Sequence, residues 1–303
     1  MAKPAALLYV LVAMSGAAGL GYELLWIRAL GLHFGTTTPA ITTVVASFMA
    51  GLAAGNWLFG AAADRSRRPF VLYQLLELGI GGTGLLVSLF VLRGGGWLDA
   101  LARFCEQAGA LAGVTRALLL AGLMFVPATL MGGTLPLLSR ALAQPGHSGN
   151  ALGLLYASNT LGAIGGALLP DFLSIPRYGL AFTAFAAAGC NLCVVAGVGV
   201  LRASGALRAS EGGNEAAPDA EPTGEGLPDA AALQRALALV LAACSGFAAM
   251  GLEVLWSRTL QHWTAALVTS FAVLLAVNLA ALALGALITR RIADRAAQPL
   301  RLA

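Results

Sequence analysis

The chain has 303 residues, of which 58% are hydrophobic and 11% charged. A soluble domain carries about 25% charged residues, so 18 basic and 14 acidic side chains cannot clothe a water-exposed globule of this length. Mean hydropathy of +0.81 and 38 glycines point instead to closely packed membrane helices, and the net charge of +4 is read as topology rather than as a nucleic-acid footprint.

Apolar runs fall at 5–31, 39–62, 70–92, 116–138, 151–170, 179–201, 236–260 and 264–289. Each is close to or above the ~20 residues that cross a bilayer, so the pattern predicts eight transmembrane helices. The first run is too long for a signal peptide and carries Glu23 and Arg28, so it is read as a retained helix. Between the third and fourth runs, Trp97, Leu101, Phe104 and Ala108 recur at helical spacing opposite Asp99, Arg103 and Glu106, which predicts a short interfacial helix over 97–109. Residues 202–235 are acidic and rich in Gly, Pro and Ala; such a segment buries too little to offset its ordering entropy and is expected to be a disordered linker. The chain thus divides into a six-helix unit (1–201), the linker (202–235) and the start of a second unit (236–303).

Placing the N-terminus in the cytoplasm puts twelve basic residues inside, among them Lys3, Arg65, Arg67, Arg68, Arg140 and Arg202, against six outside. The positive-inside rule then sets both termini in the cytoplasm, as expected of a multi-pass protein of a bacterial inner membrane. The four cysteines form no dense framework, and Cys190-Asn-Leu-Cys193, inside an apolar run, is explained by small buried side chains.

A repeat at a shift of 230 residues aligns without a gap: SGAAGLGYELLWIRAL (15–30) lies over SGFAAMGLEVLWSRTL (245–260). The register pairs Ser15 with Ser245, Glu23 with Glu253, Trp26 with Trp256, Arg28 with Arg258, Gly55 with Gly285, Asp64 with Asp294 and Pro69 with Pro299. Both copies begin at an odd-numbered helix, so they run in the same direction. Parallel repeats joined after six helices are the layout of major facilitator halves.

The loop Gly60-Ala-Ala-Ala-Asp64-Arg65-Ser-Arg67-Arg68 resembles the cytoplasmic signature of the major facilitator superfamily, with Arg67 in place of its later glycine. The stretches 15–65, LMGGTLPLLSRAL (130–142) and 153–180 resemble a narrower family, the bacterial fused membrane proteins in which a facilitator-like segment precedes a spermidine synthase-like domain. The resemblance implies an all-α, major-facilitator-like six-helix bundle followed by the first two helices of a second parallel repeat. A full second half would need four more helices, so the chain is expected to be a truncated product or a 6+2 arrangement. The resemblance further implies a gating role for Asp64, Arg65, Arg67 and Arg68; read from the residues alone, the arginines fix topology and Asp64 compensates their charge.

Glu23 lies deep in the first span, where an ionised carboxylate needs a partner or water. Gly16, Gly19 and Glu23 share one face, and Gly246, Ala249 and Glu253 repeat the pattern, so each glutamate is expected to face the bundle interior across small residues. These carboxylates serve either as a proton- or cation-linked site or as interhelical locks. Glu77 is a further buried candidate, and Asn56, Asn159 and Asn278 are read first as hydrogen-bonding glue. Arg28 and Trp26 are expected at the outer interface. Glu23, Glu77, Glu253 and Asn159 form the candidate intramembrane polar site. No catalytic, metal or cofactor-binding residue is assigned, because Arg93-Gly-Gly-Gly-Trp97 follows a membrane helix rather than the strand a nucleotide loop requires.

Three functions stay open at this stage. The chain is a transporter-like segment that moves or channels a small, polyamine-related solute, or the anchor of a spermidine synthase-like aminopropyltransferase encoded elsewhere, or a structural subunit of a membrane complex. The expected partners are the lipid bilayer and a spermidine synthase-like domain or protein.

Overall fold

The computed structural model describes residues 2–34, 38–107, 112–142, 148–207, 228–264 and 267–296, and among them it contains helices and turns but no strand. The helices are α1 (Ala2–Phe34), α2 (Thr38–Arg65), α3 (Pro69–Arg93), α4 (Gly95–Gln107), α5 (Ala112–Gly132), α6 (Thr134–Leu142), α7 (Ser148–Leu169), α8 (Ile175–Ala203), α9 (Pro228–Thr264) and α10 (Leu267–Ala296). Local chemistry explains several boundaries. Pro69 opens α3, where its missing N–H costs nothing. A one-residue turn at Gly133 separates α5 from α6, so the predicted fourth span is a broken helix.

Among the described residues seven segments are long and apolar enough to cross a membrane, and the architecture is that of a multi-pass helical membrane protein. The fifth segment, Ala151–Ala203, has 53 residues; straight, it would run about 80 Å, against a hydrocarbon core of about 30 Å. It folds back instead. A π-helical turn at Pro170–Ser174 and a positive φ of 83° at Gly179 reverse the chain. Accordingly α7 runs parallel to α1, with Gly162 against Ala13 and Gly166 against Ala17, whereas α8 runs antiparallel, with Gly197 against Leu11 and Asn191 joined through Glu77 to Ser15. The predicted fifth and sixth spans are therefore one continuous hairpin.

The end of the bundle carrying Arg65, Arg67, Arg68, Arg140 and Arg202 is here called the basic end, and the opposite one the far end. α1 is the central element. Its basic-end half (Leu8, Leu11, Val12) packs with Phe70, Tyr73, Val194 and Val198, and its far half (Tyr22 to Leu30) packs with α2, α7 and α10. α10 docks on α7 and contributes Phe271, Ala272, Leu275 and Ala276 to the core, while α9 turns nearly all its surface outward.

Three expectations change. Helix α8 continues through Ala203, and α9 begins at Pro228, so both edges of the predicted linker are helical or turned; residues 208–227 lie outside the described residues. Trp26 does not sit in an interfacial belt: it is fully buried while its repeat partner Trp256 is 56% exposed. In α4 the face toward the protein is Leu98, Leu101 and Cys105, while Trp97 and Phe104 face outward. The helix is apolar on two sides because it lies between the bundle and the bilayer, and Trp97 rests on Phe90 with ring centroids 4.5 Å apart.

The α1–α7 contact depends on absent side chains, since a Cβ on Gly162 would collide with the Ala13 carbonyl. Gly162→Val is expected to force the pair apart and destabilise the protein by about 3 kcal/mol, read as a lower midpoint of thermal unfolding in detergent. Gly189→Ala, where nothing lies within 4 Å, is expected to leave the midpoint unchanged or slightly higher.

Candidate functional site

A cavity of about 230 Å³ lies among α1, α2, α3, the α5–α6 break and α7. Its polar lining is Ser15, Asn56, Thr134 and Asn159, and no charged side chain lines it. Gly16, Gly19 and Gly132 leave the space open. The elements approach closely for the same reason: a side chain on Gly16 would strike the Asn159 carbonyl, and one on Gly55 the Thr129 carbonyl.

Behind the Ser15 wall sits Glu77, wholly buried on α3. Ser15 Oγ donates to Glu77 Oε1 at 2.5 Å, and Asn191 Nδ2 donates to Oε2 at 2.7 Å. The Tyr73 hydroxyl lies beside Ser15 and Glu77 without a hydrogen bond of good geometry. One carboxylate thus joins α1, α3 and α8 at a depth where water is absent, with a neutral donor on each oxygen. Gly81 makes room for Asn191, and Gly84 for the Tyr22 ring.

Glu23 is in a different position. It is 1% exposed, and neither carboxylate oxygen has a hydrogen-bond partner among the described residues. It lies one helical turn beyond Gly19, on the same face of α1 and toward the far end, and does not line the cavity. Glu253 of α9 is close enough to interact with it electrostatically and is half-buried. The two repeat-related carboxylates therefore approach each other, while Glu77 stands apart with its own donors. Asn159 lines the cavity and is half-buried; Asn56 lines it and is exposed; Asn278 does not line it. Asp64, Arg65, Arg67 and Arg68 are exposed at the basic end, where Asp64 faces Arg140 at 3.9 Å.

Toward the far end the bundle is closed by aromatic packing and an ion pair. Trp26 donates its indole N–H to Ser88 Oγ at 3.0 Å, stacks on Tyr22 at 5.5 Å and meets Phe48 edge-on at 6.4 Å. Beyond it, Arg28 pairs with the turn that joins α7 to α8. Its Nε donates to Asp171 Oδ1 at 2.6 Å, its Nη2 reaches the same oxygen, and Nη2 also donates to Thr269 Oγ1 of α10 at 3.3 Å. Burial of Asp171 in the π-helical turn supplies the reason: that carboxylate needs a cation, and Arg28 sits at its level. His33 and Asp99 add a second contact, 2.8 Å, between α1 and α4.

Sequence reasoning missed Ser15, Tyr73, Thr134, Asp171 and Asn191 as members of this constellation. Ser15 was visible as a repeated residue. Asn191 sits inside the Cys190–Cys193 pair, and Asp171 falls between the predicted spans 151–170 and 179–201; an acid flanked by Leu168, Leu169 and Leu173 is the available signal. No protein-family model, curated protein or solved structure matches the chain.

Removing Asp171 leaves the partly buried guanidinium of Arg28 with Thr269 but no countercharge, so Asp171→Ala is expected to lower stability in detergent by about 2 kcal/mol. The double variant Arg28→Leu/Asp171→Leu is expected to lose less than the sum of the two single leucine variants. Additive losses would show that the two residues do not act as a pair.

Proposed function

We propose that this chain is a transporter-like membrane segment that moves or channels a small, polyamine-related solute, of the kind fused to or partnered with a spermidine synthase-like domain. In this reading the basic end faces the cytoplasm of a bacterial inner membrane, as do both termini. Residues 1–201 form a facilitator-like half and 236–303 the start of the second. Glu23, Glu77, Glu253 and Asn159 form the intramembrane polar site, and Asp64, Arg65, Arg67 and Arg68 the gating loop.

One observation carries the reading. Both hydroxyls on the cavity wall are turned inward: Ser15 donates to Glu77, and Thr134 donates to the Met131 carbonyl at 2.8 Å. Each hydroxyl has a single hydrogen, so both offer only lone pairs to the cavity. Asn56 and Asn159 add side-chain amides that both donate and accept, so the lining is weighted toward acceptors; backed by a buried carboxylate and with no cation among the described lining residues, it suits a ligand rich in N–H donors and disfavours an anion. The orphaned oxygens of Glu23 beside Glu253 add a second acceptor locus one turn further on.

Proteoliposomes containing the full chain are expected to take up labelled 1,4-diaminobutane faster than empty vesicles. Glu77→Gln, which keeps volume and most hydrogen bonding, is expected to cut that uptake by about tenfold while the protein remains monodisperse. Uptake equal to empty vesicles across small amines, diols and dicarboxylates would overturn the transport reading.

A further inference from the structure

A second cavity, about 270 Å³, lies in the wedge between α7 and α8. The two helices diverge from the Pro170–Ser174 turn, each packing on α1 rather than on the other. Ala17, Ala18 and Gly21 of α1 form the floor; Gly165 and Leu169 line one wall, and Phe182 and Ala186 the other. Tyr178 stands at the far end of the wedge and Cys190 at the other, twelve residues apart in α8. Beyond the Gly179 kink the lining runs along regular helix from Phe182 to Cys190, about 12 Å, most of one leaflet of a ~30 Å hydrocarbon core.

The wedge offers water nothing to bind. Its hydroxyls are those of Ser174 and Thr183, which lie 2.6 Å apart with Thr183 donating to the Gly179 carbonyl at 3.0 Å, and that of Tyr178, which is exposed. A buried water needs two to four polar partners, so this space is dry. Phe182 and Ala186 are exposed on its rim, which opens it sideways between two spanning helices. The solvent there is hydrocarbon. Arg177, the sequence neighbour of the lining Tyr178, is exposed, and a guanidinium at that level pairs with phosphate oxygens. Tyr178 packs on Phe182 with centroids 4.7 Å apart, in the manner of interfacial aromatic residues.

We propose that the α7–α8 wedge is a binding site for one phospholipid of the far-end leaflet, its acyl chain running from Tyr178 to Cys190 and its phosphate held by Arg177. The proline- and glycine-built reversal keeps the helices apart, and the lipid chain fills the space that a longer side chain or a tight helix pair would otherwise occupy. The site depends on the membrane-spanning helices and not on the identity of any transported solute.

Native mass spectrometry of the full chain, extracted in mild detergent from vesicles of phosphatidylethanolamine and phosphatidylglycerol, tests the site. The wild-type protein is expected to retain one phospholipid per chain. Ala186→Phe fills the wedge from its exposed rim and is expected to lower retention roughly tenfold, whereas Leu192→Phe, exposed outside the wedge, leaves it unchanged. Arg177→Gln is expected to lower retention of phosphatidylglycerol about fivefold without abolishing that of phosphatidylethanolamine. Equal retention in wild type and Ala186→Phe, or a dimer that Ala186→Phe dissolves, would overturn the proposal, the second by assigning the wedge to another copy of the chain.

Discussion

Everything near the centre of this bundle depends on satisfying a carboxylate far from water. Glu77 is wholly buried, and a side chain of that kind is tolerated in a hydrocarbon environment only when its oxygens are occupied. Two neutral donors, Ser15 and Asn191, come from helices 62 and 114 residues away in sequence. Meeting that demand fixes the relative height and rotation of α1, α3 and α8 together. The consequences reach the cavity, because a Ser15 hydroxyl committed to Glu77 turns its lone pairs toward the open space.

Close approach is the second ingredient, and it comes from what the side chains lack. Where α1 meets α7 and α2 meets α5, carbonyls stand where a Cβ would otherwise be. In lipid, helix association draws on such van der Waals contact and on interhelical hydrogen bonds rather than on the hydrophobic effect. The same small residues that bring helices together on one side leave voids on the other. The central cavity lies against Gly16, Gly19 and Gly132, and the α7–α8 wedge against Gly21 and Gly165. Packing and cavity formation are thus two results of one composition.

The two copies of the internal repeat show how environment divides identical residues. Trp26 is buried and hydrogen-bonded to Ser88, and Arg28 is held by Asp171; Trp256 and Arg258 on α9 face outward. The glutamates are less divided. Glu23 is enclosed and Glu253 half-buried, yet they come within electrostatic reach across the unit boundary. The shared sequence pattern leaves the fate of the neighbouring residues to the helices that pack around α1.

From the sequence alone, hydropathy and length determined that the chain is helical and multi-pass, because a backbone in lipid has few other ways to satisfy its N–H and C=O groups. The glycine faces next to Glu23 announced that this side chain points inward, and the buried character of Glu77 followed from its place in an apolar run. What the one-dimensional pattern could not carry was partnership between distant residues. Ser15 with Glu77 and Asn191, and Arg28 with Asp171, are unremarkable singly and meaningful only when the α7–α8 reversal and the parallel α1–α3 packing bring them to one depth. Hydropathy reports how each residue prefers its surroundings. Which donor meets which acceptor is set by helix rotation and offset, and only the tertiary structure decides those.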